Sequence, residues 1–198
     1  VILLAACARR AVDTRIALIS FLAITVLVLA MTFVYWQQFT VDGVPKLWMF
    51  TYIVDPLLAP LILTRLRLWR AAEPGRHRST WVFLGQAVVF GALGVALLLA
   101  PNSLLSGWPW VLTRLLARVY AAFFLAFALG AVLAAYERRA AAVRAFAAGS
   151  LVLLLSTLVT SLIHLARFDH GAGRWLWFAV HAVGIAAFGY AVAATARS

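Results

Sequence analysis

Cysteine and acid are both scarce in this chain. A single cysteine, Cys7, is present, which excludes an internal disulfide and any metal site built from several thiolates. Only six Asp and Glu stand against 17 Lys and Arg, and nowhere do His, Asp and Glu gather into a dense cluster. No HExxH, no glycine-rich phosphate loop and no GxGxxG stretch occurs, so neither a zinc-hydrolase centre nor a nucleotide site is expected. A CxxCH haem attachment is missing too, and His164 with His181 is the one histidine pair a haem could use within the apolar segments. The expectation is a protein with no cofactor and no catalytic constellation of recognisable spacing.

Polar stretches are the other shortage. Charged residues make up 12% of the chain and apolar ones 66%, with a mean hydropathy of +1.00, whereas a soluble domain is nearer half apolar and a quarter charged. Water cannot be the solvent for most of this surface. Six apolar segments can be marked by their flanks, at roughly 15–36, 46–69, 79–101, 109–136, 142–167 and 174–196, and each is long enough to span a bilayer with some tilt. The stretches between them are long enough only for turns. Residues 1–198 thus read as one transmembrane domain, an all-α membrane protein of six helices in three consecutive hairpins.

Charge sets the orientation. Arg9, Arg10, Arg15, Arg65, Arg67, Arg70, Arg76, Arg78, Arg138, Arg139, Arg144 and Arg197 fall at one set of segment ends, against Lys46, Arg167 and Arg174 at the other. The crowded side faces the cytoplasm by the positive-inside bias, which puts both termini there and the protein in the cell inner membrane. Trp36, Trp48, Trp108, Trp110, Trp175 and Trp177 mark the outer boundary and Trp69 and Trp81 the inner one. The net charge of +11 then implies attraction to anionic lipid. Nucleic acid is not an expected partner, because no polar face is large enough to carry a backbone-binding patch. Leu4-Ala5-Ala6-Cys7 is similar to a lipoprotein cleavage box, but no basic residue precedes it, so the segment reads as an apolar leader into the first span.

Small residues point to helix contacts, since lipid gives helices no hydrophobic reason to associate. Ala122, Ala126, Gly130 and Ala134 form a stripe along the fourth segment, and Gly91, Gly94, Gly184 and Gly189 thin the third and sixth. The segment Trp48-Met49-Phe50-Thr51-Tyr52-Ile53-Val54-Asp55-Pro56, followed later by Trp108-Pro109-Trp110-Val111-Leu112-Thr113, resembles a loose group of six-helix bacterial integral membrane proteins without assigned activity. The resemblance implies the same topology and no chemistry.

Ionisable groups inside spans cost about 2.5–3.5 kcal/mol each on insertion scales, so each calls for a partner or a cavity. Asp55, Arg114, Arg118, His164 and His181 are such groups, and all lie in the outer half of the membrane. At about 1.5 Å per helical residue, Asp55 lies roughly 10 Å below Trp48, Arg118 roughly 12 Å below Trp110, and His181 roughly 6–9 Å below the Trp175/Trp177 pair. Three helices deliver an acid, a base and an imidazole to similar depth. Pro56 and Pro60 free the carbonyls of Tyr52 and Pro56 beside Asp55, so a kink and a polar spot are expected there. Arg114 is shallow enough to snorkel. Thr157, Thr160, Ser161 and His164 share one broad helix face, with hydroxyls expected on their own i−4 carbonyls.

These residues give Asp55 and Arg118 as a buried ion pair, with Tyr52, His164, His181 and Arg114 completing a polar cluster. The expected function is a non-catalytic integral subunit or scaffold, with lipids, other membrane subunits or a second copy as partners, and with room for a lipid or other hydrophobic molecule in an outer-leaflet cleft. A small secondary transporter, for which the broken second helix speaks, and a membrane-embedded enzyme acting on lipid or isoprenoid through Asp55, Arg118, His164 and His181 are the alternatives.

Overall fold

The computed structural model describes residues 11–38, 45–70, 72–105 and 107–196. Cys7, Arg9, Arg10, Arg197 and most of the first expected turn lie outside the described residues, as do the side chains of Lys46 and Trp48. Among the described residues the chain is helical, with one isolated bridge between Pro74 and Glu137. A 3-10 turn, Ala11–Thr14, leads into α1 (Arg15–Val34); α2 (Pro45–Arg65), α3 (Thr80–Leu99), the short α4 (Pro101–Leu105), α5 (Arg114–Ala135), α6 (Ala140–Ile163) and α7 (Ala172–Ala196) follow.

The apolar runs dictate this outcome. A peptide group in hydrocarbon must find its partner within the chain, and a helix satisfies its interior N–H and C=O groups together. Ala11–Val34, Thr80–Leu99, Arg114–Ala135, Ala140–Ile163 and Ala172–Ala196 are long and apolar enough to cross a membrane. The protein therefore has the architecture of a helical multi-pass membrane protein. The sixth long helix, α2, extends about 31 Å at 1.5 Å per residue and carries Pro56 and Pro60 inside it.

Two helix ends differ from expectation for local reasons. α5 starts at Arg114 rather than near Pro109, because Thr113 is extended and its hydroxyl accepts the Leu116 N–H at 3.2 Å, capping the helix there. α2 stops at Arg65, where Arg67 takes a left-handed conformation at φ 54°. That reversal is a common way to end a helix, and a 3-10 turn (Leu68–Arg70) follows, with Trp69 Nε1 donating to Thr64 Oγ1 at 3.0 Å.

α5 is the axle of the bundle. It packs along α3 on one side and α1 on another, α2 lies along α1, and α6 pairs with α7. Its buried residues are nearly all alanine, from Ala117 to Ala135, with Gly130 among them. Small side chains let the backbones approach, and close approach supplies the dispersion contacts that hold helices together in lipid. Gly130 marks the tightest place along α5: a Cβ there would overlap Ser20 Oγ of α1 and come within 2.6 Å of Phe146 Cε2 of α6. Gly94 and Gly184 also mark contacts, against Leu125 and Leu154, while Gly189 faces open space.

The half of the bundle where α3 and α6 begin closes around Phe83, which is fully buried with its ring 6.1 Å from those of both Phe146 and Phe188. At the opposite end Leu97, Leu112, Ala117 and Ala121 form a second cluster beneath Trp108. Span hydroxyls mostly turn back on their own helix: Ser20 donates to Ile16 O, Thr32 to Val28 O, Thr160 to Ser156 O and Ser161 to Thr157 O, at 2.7–3.0 Å.

Candidate functional site

The two ends of the bundle each gather polar residues. At the end where α5 and α7 begin, the loop 107–113 folds over α6 and α7, held by Asp169 N–H donating to Pro109 O at 2.9 Å. It brings Trp108 and Trp110 onto Trp177, Tyr120 and Phe168, with the Trp110 and Trp177 centroids 4.9 Å apart and nearly perpendicular. Trp177 in turn lies 4.3 Å from the His181 ring. Perpendicular edge-to-face packing of this kind is the preferred aromatic geometry.

His181 is 3% exposed and bonded at both nitrogens. Nδ1 stands 2.8 Å from Trp177 O and Nε2 stands 2.9 Å from Thr157 Oγ1. A carbonyl only accepts, so Nδ1 carries the proton. Nε2 meets the Thr157 hydroxyl, whose one proton also lies within reach of Leu153 O and Leu154 O at 3.0 and 3.1 Å. Trp177 Nε1 donates to Ser161 Oγ at 2.9 Å, and the same α6 face thus serves two α7 side chains. The arrangement is a closed polar seam that joins α6 to α7.

The other expected site residues are not drawn into this seam. Arg118 is half-buried; its Nε donates to Leu98 O at 3.4 Å and its guanidinium lies 5.3 Å from the centre of the Tyr35 ring. Among the described residues no ion pair joins Arg118 to Asp55. The reason lies in the packing order: α2 lies along α1, and the end of α1 places Tyr35 over the cation. Asp55 is half-buried on α2 near Tyr52, which is half-buried as well. Arg114 is exposed and donates to Asn102 Oδ1 at 3.0 Å. His164 is exposed at the end of α6, where its backbone N–H bonds Thr160 O, so it does not meet His181.

The opposite end holds what sequence reasoning passed over. Glu137 is 2% exposed and collects four groups. Arg15 Nη1 lies 3.6 Å from Oε2, Arg139 Nε lies 3.2 Å from Oε1, and the backbone N–H groups of Glu73 and Arg139 donate to Oε1 at 3.3 and 3.2 Å. Arg15 also donates from Nε to Leu68 O at 2.9 Å. One carboxylate thereby joins the starts of α1 and α6 to the loop that follows α2. The available signal was scarcity: Asp13, Glu73 and Glu137 are the only acids among the many arginines of this end, so a carboxylate there has cations in excess. Beside this hub a cavity of ≈ 620 Å³ opens, lined by His77, Arg78, Ser79, Arg138, Ala140, Ala194 and Thr195.

Comparison with protein-family models, with curated proteins and with solved structures finds no match for this chain. Among the described residues no three His, Cys, Asp or Glu converge as metal ligands. The chemistry open to the chain is that of the seam, the hub and Asp55, which has no ion-pair partner among the described residues.

Proposed function

We propose that the chain is a non-catalytic integral subunit or scaffold of six spans in three hairpins, resident in the cell inner membrane with both termini cytoplasmic, and that α2 is where a membrane partner seats. Asp55 carries this reading. It sits within a helix that presents Phe50, Ile53, Leu57, Leu58 and Leu61 outward, and among the described residues no cation lies within ion-pairing distance of it. A carboxylate left so within a bilayer is costly, and a donor from another membrane helix removes the cost. The polar groups of α6 and α7 bond one another, which supports a structural role for His181. The lipid-enzyme reading requires Asp55, Arg118, His164 and His181 around one space, whereas His164 and His181 stand apart and Arg118 is engaged elsewhere; the transporter reading rests on the broken α2 and Asp55 and is the alternative that absence of a crosslinked partner would favour.

The test is crosslinking in native membranes. With Cys7→Ser and Leu57→Cys, a bifunctional thiol reagent should trap a species of higher mass. Twice the chain mass identifies a second copy, and any other increment a different subunit. Asp55→Leu should weaken the trapped contact. Monomer alone under all crosslinker lengths overturns the proposal.

A further inference from the structure

We infer that the basic cleft at the start of α3 and α6 is a binding site for the phosphate of an anionic phospholipid headgroup. The charge is available because the nearby acids are already engaged: Arg139 pairs with Glu73 at 3.6 Å and with Glu137 at 3.2 Å, and Arg15 pairs with Glu137 Oε2 at 3.6 Å. Arg78 and Arg138 line the cleft, are exposed, and have no acidic partner among the described residues. Two uncompensated guanidiniums facing one cavity select an anion, and phosphate is the anion their forked geometry fits best.

The backbone adds to the same field. α3 begins just after Ser79 and α6 at Ala140, both residues of the cleft wall; the side chains of the capping residues Ser79 and Arg139 make no cap bond, although Glu137 Oε1 accepts the Arg139 N–H ahead of α6. Helices of 20 and 24 residues turn their positive ends there; the Thr80 and Val82 N–H groups of α3 are bonded to His77 O and Ser79 O, so that helix adds a field to the cleft, not a row of donors. His77 holds the wall in shape, bonded through Nε2 to Ala134 O at 2.8 Å and through Nδ1 to Ser79 Oγ at 2.9 Å.

Position argues for a lipid as the source of the phosphate. The cleft lies at the ends of three apolar helices, α3, α6 and α7, the level at which headgroups sit. Trp81, the residue after Thr80, and Tyr190, one turn before Ala194, lie 5.8 Å apart and are 63% and 46% exposed. An outward Trp–Tyr pair is what marks the headgroup level of a bilayer. The cleft volume of ≈ 620 Å³ falls within the range of small-molecule pockets, about 300–1,000 Å³. The headgroup would enter between Arg78 and Arg138 while glycerol and chains pass the aromatic pair. The site stands apart from the α2 contact and depends on neither its partner nor the orientation of the protein.

The experiment is native mass spectrometry of the detergent-purified chain with added phosphatidylglycerol, phosphatidylcholine or soluble glycerol phosphate. Phosphatidylglycerol should be retained over phosphatidylcholine by on the order of tenfold, in line with the attraction of anionic lipid for two basic side chains. Arg78→Gln with Arg138→Gln should abolish the preference, and Arg65→Gln with Arg70→Gln, an equal change of charge on the α2 side, should leave it. Ala194→Leu, which fills the cleft and keeps every charge, should also abolish it, and covers the case in which the arginine variant does not fold. Equal retention of the two lipids, equal loss in the α2-side control, or a preference that survives Ala194→Leu overturns the site. Glycerol phosphate displacing the lipid at equal concentration overturns the lipid as its occupant.

Discussion

Substituting Gly130 by alanine adds one methyl group at the place where α1, α5 and α6 meet. The new carbon would overlap the Ser20 hydroxyl and stand 2.6 and 2.8 Å from two carbons of the Phe146 ring, about 1 Å inside the optimum carbon–carbon separation. Overpacking of this kind costs about 1–3 kcal/mol, partly offset by about 0.5–1 kcal/mol from alanine's better helix propensity. A net loss of up to about 2.5 kcal/mol is expected, read as a lower temperature at which the purified protein loses its monodisperse peak in mild detergent. Ser20→Ala deletes the obstructing oxygen, whose hydrogen bond goes only to Ile16 O of its own helix, and should restore part of the loss in the double variant. Gly189→Ala is the internal control, because nothing lies within 4 Å of its added carbon, and it should be neutral or slightly stabilising. A Gly130→Ala protein as stable as the parent, or no rescue by Ser20→Ala, would show that the three helices do not meet as described.

Three further outcomes are expected. Glu137→Gln keeps the shape but leaves Arg15, whose side chain is 10% exposed, without its counter-charge; a loss of about 3–5 kcal/mol follows from breaking a buried pair, and Arg15→Met in the same chain should recover much of it. His181→Ala should cost about 2–5 kcal/mol, as for other large-to-small changes at buried positions, whereas Thr157→Ala should cost only about 1 kcal/mol; equal effects in thermal unfolding would contradict the seam. In a Cys7→Ser background an impermeant maleimide applied to intact cells should label Gly171→Cys and spare Ala72→Cys, and the reverse pattern would invert the proposed orientation.

The elements of this fold were legible because apolar run length leaves little choice of structure in lipid. The alanine stripe of α5 was legible for the same kind of reason, since Ala122, Ala126, Gly130 and Ala134 have no other use at helical spacing. Gly189 shows where that logic stops, because a small residue that faces outward has the same letter as one at a contact. Asp55 and Arg118 were matched by depth, and depth is only one of three coordinates. Which helices are neighbours decides the rest, and here Tyr35 at the end of α1 meets Arg118. His181 was found because an imidazole inside a span is conspicuous, but its Thr157 partner was distinguishable from Thr160 only once α7 was placed. Glu137 escaped notice because it occupies a turn, where a carboxylate is ordinarily solvated.

The order in which Glu137's partners are synthesised has a consequence for how the chain is built. Arg15 leaves the ribosome at the head of α1, long before the carboxylate that neutralises it, which arrives only after α5 has been made. Until then the first span lacks the Glu137 carboxylate that pairs with its buried arginine, and the end of α1 that carries Arg15 is better placed in water or headgroups. The fourth long helix therefore locks the first in place, and the backbone of Arg139, emerging immediately afterwards, completes the clasp. A chain ending just short of Glu137 keeps the two helices along which α1 packs, α2 and α5, so it should seat α1 in the bundle and leave only its Arg15 end unclasped.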